Sequence, residues 1–251
     1  MSNVLRPIAR TVFGKLLPRV AYPVVRGPLN GARIILGALE GEGGGATAYF
    51  NMLEPEQTAA IAARLKQGDV FFDIGANVGY YTLLASRQVG REGKVFAFEP
   101  VVRNLAYLYR HLLLNGANNV TVIAAACSES LSLALFSSGE NFATGHIDGS
   151  AVTQENTFLV PTLSVDAVVK KTGVSPNAMK IDVEGAELSV LKGAKNTIAS
   201  ARPEIFLSTH SASLRTDCLA YLEEAGYTVE ALDSDDDPSS FLATHYEGRI
   251  T

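Results

Sequence analysis

The sequence has 251 residues, of which 47% are hydrophobic and 19% charged, a composition typical of a globular domain rather than a disordered chain. The formal net charge of −5 argues against a general nucleic-acid binder. No apolar run reaches the ~18 residues that a membrane span needs. Two cysteines, Cys127 and Cys218, are too few for a disulfide framework or a four-cysteine zinc site. Because no secretory leader is evident either, we expect a cytoplasmic protein.

The first 39 residues carry six basic side chains and no acidic one, whereas the remainder is strongly acidic. Leu5, Ile8, Val12 and Leu16 recur at helical spacing and predict a short amphipathic helix. Docking on its own domain or on a second copy of the chain is favoured over contact with an anionic membrane surface. Together with a hairpin expected near residues 27–36, residues 1–66 are predicted to be an N-terminal extension that contacts the acceptor or another subunit.

From residue 69 the pattern alternates regularly between buried strands and helices. Strands are predicted at residues 69–74, 94–98, 119–125, 179–182 and 204–208, with a closing hairpin at 227–232 and 241–245. Shorter strands at 131–136 and 157–160 flank a polar loop. This order predicts an α/β domain over residues 67–251, built on a doubly wound parallel sheet. Ligands of such sheets bind at the carboxyl ends of the strands.

The segment Asp73-Ile-Gly75-Ala-Asn77-Val-Gly79 follows the first core strand and leads into a helix. Its glycines allow a tight turn and a close approach of the backbone to a ligand, and the helix offers free N–H groups at its start. A dinucleotide-binding turn would instead have the pattern G-x-G-x-x-G. Because Asp73 would repel a pyrophosphate but attract an ammonium or sulfonium group, the segment points to S-adenosyl-L-methionine (SAM).

Further acidic side chains and a histidine stand at the ends of later strands. Glu99 ends the second strand, where a carboxylate can accept hydrogen bonds from both ribose hydroxyls. Asp182 and Glu184 end the central strand, where a reacting group would lie. An alcohol acceptor needs a proton acceptor in the transition state: His210 is the first candidate, Asp182 the second and His146, in the polar loop, the third. No set of three metal ligands is evident, so we expect no metal ion.

Three segments, residues 70–90, 94–115 and 179–210, together resemble the FkbM family of SAM-dependent methyltransferases, with the family's motifs in their usual order. The similarity runs from about residue 50 to residue 211. It implies a class I methyltransferase (Rossmann-like) fold, with a seven-stranded sheet that ends in an antiparallel hairpin. It also implies transfer of a methyl group to an oxygen, commonly a hydroxyl of a sugar or a natural product.

The resemblance further implies a set of site residues. Those assigned to SAM are Glu54, Asp73, Gly75, Asn77, Gly79, Glu99, Pro100, Asn104, Ala126, Cys127 and Asp182. Among them, Asp73, Gly75, Asn77 and Gly79 would line the methionine end. Glu99 would hold the ribose with support from Asn104, and residues 126–127 would lie near the adenine. Asp182 and Glu184 would face the methyl group.

Three alternatives remain open at this point. An NAD-dependent oxidoreductase could use a similar sheet, although the missing third glycine and Asp73 weigh against it. A non-enzymatic SAM-binding or scaffold protein is the second, although Asp182, Glu184 and His210 favour an enzyme. A nucleic-acid amino-methyltransferase is the third, but its base-holding Pro-Pro-aromatic motif is absent. The sequence therefore predicts a SAM-dependent O-methyltransferase with a small-molecule or glycan acceptor and no nucleic-acid partner.

Overall fold

A computed structural model describes residues 18–39, 46–138, 145–147, 157–233 and 237–248 of the chain. The strands in these ranges are β1 (Ala21–Pro23), β2 (Arg33–Ile35), β3 (Val70–Ile74), β4 (Lys94–Phe98), β5 (Val120–Ile123), β6 (Ala126–Cys127), β7 (Ser132–Ser138), β8 (Gly145–Ile147), β9 (Thr157–Leu163), β10 (Ala178–Ile181), β11 (Glu204–Ser208), β12 (Tyr227–Ala231) and β13 (Ser240–His245). The helices are α1 (Ala46–Tyr49), α2 (Pro55–Arg64), α3 (Tyr80–Val89), α4 (Val102–Asn115), α5 (Val165–Thr172), α6 (Glu187–Gly193), α7 (Lys195–Ala201) and α8 (Ala212–Glu224).

A seven-stranded sheet with the order β12-β13-β11-β10-β3-β4-β5 forms the centre of the molecule. Within this sheet, β13 runs in the direction opposite to the other six strands. The last two strands, β12 and β13, therefore form the expected antiparallel hairpin. The sheet confirms the predicted class I methyltransferase architecture. It also brings the carboxyl ends of β3, β4 and β10 together at one edge, where the sequence motifs lie.

Helices cover both faces of this sheet because its strands are apolar on both sides. Phe71 packs in one core with residues of α2, α3 and α4. Its neighbour Phe72 packs in the other core with residues of α5, α6, α7 and α8. Successive side chains of a strand point to opposite faces, so a run such as Val-Phe-Phe in β3 supplies both cores at once.

A second sheet has four strands in the order β6-β9-β7-β8. Its first strand, β6, follows β5 of the main sheet directly in the sequence. The sequence predicted its two longer strands, β7 and β9, which pair antiparallel from Ser132 to Ser137. It did not predict that β6, immediately after the third core strand, joins this sheet by pairing parallel to β9. The small sheet therefore starts at the rim of the predicted cofactor site.

The N-terminal hairpin is present, with β1 and β2 pairing antiparallel between Ala21 and Ile35. Val24, Leu29 and Ile34 belong to the same buried cluster as Phe71 and the α3 side chains. Residues of the two described segments, 18–39 and 46–66, thus pack into the core of the methyltransferase domain. The predicted amphipathic helix around residues 5–16 lies outside the described residues, and its docking role stays a prediction.

One predicted helix is divided in the structure. The sequence indicates a continuous helix over residues 186–199, but α6 ends at Gly193 and α7 starts at Lys195. A Cβ atom at Gly193 would overlap the carbonyl oxygen of Ser128, so glycine allows the end of α6 to pack closely against the β6–β7 segment. Within the described ranges, no helix has the length and apolar character that crossing a membrane requires.

Candidate active site

A cavity opens at the carboxyl ends of β3, β4 and β10, where ligand sites of such sheets are expected. Its walls come from the turn after β3, the end of β4, the β5–β6 connection and the loop after β10. The N-terminal segments contribute part of the rim. The residues that line the cavity include Glu54, Gly75, Asn77, Tyr81, Glu99, Pro100, Asn104, Ala126, Cys127, Phe136, Lys180, Asp182 and Glu184.

The turn between β3 and α3 needs glycine at two positions. Gly75 has φ +85°, and a Cβ atom there would overlap the main-chain carbonyl oxygen of Asp182. Gly79 has φ +93°, and a Cβ atom there would press on Leu108 of α4. Both glycines therefore permit close packing: Gly75 lines the cavity and lets the β3 turn touch the loop after β10, whereas Gly79 is not among the lining residues.

Glu99 is the best-supported predicted residue of the site. Its side chain is 4% exposed and lines the cavity. The main-chain N–H of Asn77 donates to Oε2 at 2.8 Å, and the N–H of Val101 donates to Oε1 at 2.8 Å. The Asn104 amide also donates to Oε1, at 3.3 Å, as expected of a supporting residue. Burial raises the pKa of Glu99 to about 7, although the two main-chain donors and Asn104 lower it in part.

The structure corrects the placement of Asp73. It is fully buried and is not among the residues that line the cavity, so it lies behind the cavity wall rather than on it. Instead the Thr82 hydroxyl donates to its Oδ2 at 2.5 Å, and its Oδ1 is buried without a hydrogen-bond partner. Burial raises the pKa of Asp73, and Lys180 and Thr82 offset this only in part. Asp73 thus acts on the site through its charge and through the position of α3.

Lys180 is a site residue that the sequence analysis missed. It is 1% exposed, lines the cavity, and its Nζ donates to Asp182 Oδ2 at 2.8 Å. The same ammonium group lies 4.7 Å from the ring centroid of Tyr81. Burial would lower the pKa of Lys180, but the carboxylates of Asp182, Asp73 and Glu54 raise it on balance. A lysine within an otherwise apolar strand was the signal that could have identified it.

The loops after β10 and β11 bring three predicted residues together. His210 Nε2 lies 3.4 Å from Asp182 Oδ1 and 3.4 Å from Glu184 Oε2. The other ring nitrogen, Nδ1, lies 2.7 Å from Oε1 of Glu187, a fully buried side chain. Glu187, in the first turn of α6, was not among the predicted site residues. The structure shows that it orients His210.

The same cluster determines the protonation of its members. Burial raises the pKa of Asp182, but the Lys180 ammonium outweighs this and holds the pKa below its usual range. Burial raises the pKa of Glu184, with His210 opposing the shift. The hydrogen bond to Glu187, followed by the charges of Asp182 and Glu184, raises the pKa of His210 to about 9. This raised pKa favours the protonated imidazole near neutral pH, which counts against a simple role for His210 as general base.

Three donor atoms, one each from Asp182, Glu184 and His210, lie within 4.8 Å of one another. This corrects the expectation that no set of three metal-binding side chains forms. Sequence reasoning identified the two carboxylates as suitable ligands. It did not predict that His210, in the loop after β11, lies beside them.

The remaining predicted residues are placed as follows. Glu54 lines the cavity, and its Oε2 accepts hydrogen bonds from the Tyr81 hydroxyl at 2.6 Å and from the Gln57 amide at 3.0 Å. Pro100 and residues 126–127 also line the cavity. His146 lies on β8, opposite Ser137 of β7, in a segment for which only the backbone is described.

The residues of the cavity fit the predicted cofactor. Apolar side chains such as Ala126 and Phe136 form a wall suited to a flat adenine ring. Glu99 is a buried carboxylate beside that wall, and ribose hydroxyl donors would offset the cost of burying it. Glu54 and Asp182 stand at the other side, where they suit cationic groups, and Lys180 suits a carboxylate.

Comparisons with known proteins agree with this geometry. The family model of the FkbM methyltransferase domain matches residues 73–229. Hexuronic acid methyltransferase AglP of Haloferax volcanii is 29% identical over 178 residues, which cover 70% of this chain and 71% of that protein.

Two solved structures show the same fold. An FkbM methyltransferase from Methylobacillus flagellatus superposes with a TM-score of 0.54 and 19% identity over 79% of this chain. The chain spans about half the length of that protein, 53%. A SAM-dependent O-methyltransferase from Thermotoga maritima gives a TM-score of 0.50 and 16% identity over 78% of this chain and 67% of that one.

Proposed function

Because the chain belongs to the FkbM family of methyltransferases, we propose that it transfers the methyl group of SAM to an oxygen of a sugar acceptor. The family establishes a methyltransferase with SAM as its cofactor; the oxygen and the sugar are our proposal. The observation that carries it is the position of Asp182 and Glu184, which line the cofactor cavity and also contact His210 at its edge. The Haloferax relative, a hexuronic acid methyltransferase by name, supports a sugar acid as the acceptor.

The chain's own residues would hold the cofactor in an extended conformation along the strand ends. Glu99 would accept hydrogen bonds from the ribose, since Oε2 receives a single hydrogen bond from the protein. Lys180 and Glu54 would hold the two charged groups of the methionine end. The β3 turn would lie against the cofactor, since Gly75, Ala76 and Asn77 line the cavity.

When bound, SAM supplies a methyl group on a positively charged sulfur that leaves as a neutral thioether. The chain must then place an acceptor oxygen in line with that bond and keep water away. The carboxylates of Asp182 and Glu184 can accept hydrogen bonds from a sugar hydroxyl and orient it. The same two carboxylates would repel a free carboxylate at this point, so a hydroxyl is the favoured acceptor.

The hydroxyl proton would pass to the cluster of Asp182, Glu184 and His210. General acid–base help of this kind contributes a factor of ~10²–10⁴ to turnover. His210 as its first acceptor stays a prediction, as does the role of His146.

The test is methyl transfer from methyl-labelled SAM to a panel of glycosides, half of them carrying a uronic acid. We expect label in a uronic acid glycoside, stable to mild alkali because it is an ether. Label that mild alkali releases as methanol would show that the sugar carboxylate is the acceptor and would contradict the hydroxyl. If the protein still binds SAM but labels none of the glycosides, the proposal that the acceptor is a sugar would be contradicted.

A matched pair of variants identifies the site of transfer. Asp182→Asn should lower turnover because it removes a charged acceptor at the reacting point, whereas Glu223→Gln, on the exposed face of α8, should leave it unchanged.

A further inference from the structure

We propose that Asp182, Glu184 and His210 form a binding site for one divalent metal ion of the Mn²⁺ or Mg²⁺ class, at the end of the cofactor cavity. The three side chains come from two loops, after β10 and after β11, and their donor atoms lie within 4.8 Å of one another. Two carboxylates and one imidazole are ligands that such ions accept.

The distances favour an ion over direct contacts among the three side chains. His210 Nε2 stands 3.4 Å from one oxygen of each carboxylate, longer than the ~2.7–3.2 Å of an ordinary N–H···O hydrogen bond. Two donors bound at ~2.1 Å in an octahedral shell lie ~3.0 Å apart on one edge and ~4.2 Å apart across it. The two distances to His210 therefore need to shorten by only a few tenths of an ångström to match one edge of such a shell.

Two of the ligands are already held from behind, as metal ligands usually are. Glu187 Oε1 lies 2.7 Å from His210 Nδ1, so Nδ1–H donates to this carboxylate, and Nε2, whose proton an incoming ion would displace, faces the other two ligands. Lys180 Nζ holds Asp182 Oδ2 at 2.8 Å, which leaves Oδ1 facing His210. Surface carboxylates that are close together by chance would lack both of these supporting contacts.

The position of the site also suits a role in the reaction. Asp182 and Glu184 line the cofactor cavity, whereas Glu184 and His210 line a shallower depression next to it. An ion held by three protein ligands keeps open positions for two neighbouring oxygens of a sugar. It would fix the acceptor and lower the pKa of a bound hydroxyl. This role rests on the proposed function, but binding of the ion does not.

The test measures binding of Mn²⁺ alone to the full-length chain after chelator treatment, from the electron paramagnetic resonance signal of free Mn²⁺ at about pH 8. We expect one ion per chain with a submillimolar dissociation constant. Glu184→Gln and His210→Ala should each weaken binding by at least about tenfold. Both side chains are partly exposed, 38% and 32%, so these variants should fold, which thermal melting checks.

Glu223→Gln serves as the matched control, since it removes an exposed carboxylate far from the cluster and should leave Mn²⁺ binding unchanged. No binding by the wild-type chain up to about 1 mM Mn²⁺ would overturn the proposal. Equal binding by the wild type and both ligand variants would overturn it too. S-adenosylhomocysteine binding, measured in parallel, reports on the cofactor site, so a failed metal site and a failed methyltransferase assignment give different results.

Discussion

Glu99 shows how a single side chain links the fold to cofactor binding. It is buried among donors that the turn after β3 and the start of α4 supply, and its pKa is raised to about 7 chiefly by burial. Below that pH the carboxyl group carries a proton in the free protein, and the proton must be lost before both oxygens can accept hydrogen bonds from ribose.

We therefore predict that affinity for S-adenosylhomocysteine falls by up to about tenfold per pH unit below pH 7 and levels off above it. Titration calorimetry between about pH 5.5 and pH 8 measures this slope. In Glu99→Gln the affinity should be weak and nearly independent of pH in that range. An equal slope in the wild type and in this variant would assign the titration to another group.

Gly75 and Gly68 have nearly the same positive φ, but only Gly75 has close neighbours, so the two separate the cost of steric overlap from the cost of backbone conformation. Gly75→Ala should destabilise the protein by about 2 kcal/mol or more, because a Cβ atom at φ +85° meets the Asp182 carbonyl. Gly68 has nearly the same φ, +86°, but open space around it, so Gly68→Ala should cost only about 1 kcal/mol. Urea unfolding compares the two variants. Equal losses would show that the close approach to Asp182 is unimportant.

Helix α4 is one of the elements that join the N-terminal segment to the rest of the methyltransferase domain. Its buried His111 accepts a hydrogen bond from the Ile35 N–H at Nε2, at 2.9 Å, and donates from Nδ1 to the Val78 carbonyl at 2.7 Å. One ring thus connects β2 to the turn that precedes α3. The bond from Ile35 requires an unprotonated Nε2 and therefore the neutral ring, and burial lowers the pKa of His111, with Arg110 adding to the effect and the Val78 carbonyl opposing it.

The sign of the resulting pH dependence follows from this lowered pKa. The unfolded chain takes up the proton first, so His111 stabilises the fold fully above about pH 6.5, and this stability is lost as the pH falls from there towards the folded-state pKa. We predict that His111→Gln unfolds with a weaker dependence on pH below about 6.5 than the wild type. Hydrogen exchange at residues 33–35 should also be faster in the variant.

Asn115→Ala is the control, because it removes the paired bonds between Asn115 and the Arg33 backbone without removing a titratable group. It should loosen β2 at every pH alike. A variant at His111 that keeps the wild-type pH dependence would show that another residue titrates.

Sequence reasoning succeeded where a pattern belongs to one element and failed where two elements meet. Glu99 and Gly75 were predicted because each follows a recognisable apolar strand, and strand ends define the site in this architecture. Asp73 was expected on the cavity wall, yet the strand's alternation points it into the core, towards Thr82. Lys180 was read as part of an apolar strand, because its carboxylate partners come from three separate segments.

The proximity of His210 to Asp182 and Glu184 and the contact of Glu187 with His210 were missed for the same reason. Asp182 and His210 are 28 positions apart, and only the parallel pairing of β10 with β11 places their loops side by side. The division of α6 from α7 at Ala194 and the close contact of Gly193 with Ser128 likewise follow from no local sequence pattern.

At the scale of the whole molecule, the basic N-terminal arm is the feature whose role stays a prediction. Among the described residues, those that line the cavity all lie at or after Leu39, and we expect deletion of residues 1–17 to leave SAM affinity unchanged. We expect the arm to dock on protein, and therefore expect the deletion to alter the oligomeric state or acceptor turnover. Flotation with anionic vesicles at low and physiological salt checks this, and salt-resistant vesicle binding that the deletion abolishes would identify a peripheral membrane enzyme instead.

The central claim is that the cavity at the ends of β3, β4 and β10 binds SAM with Glu99 as its ribose acceptor. Titration calorimetry of SAM against the wild type, Glu99→Ala and Glu223→Gln at about pH 8 tests it most directly. We predict one SAM site per chain and equal affinity in the wild type and Glu223→Gln. In Glu99→Ala the binding free energy should be weaker by about 1.5–3 kcal/mol. Unchanged affinity in Glu99→Ala, or no binding by the wild type, would contradict it.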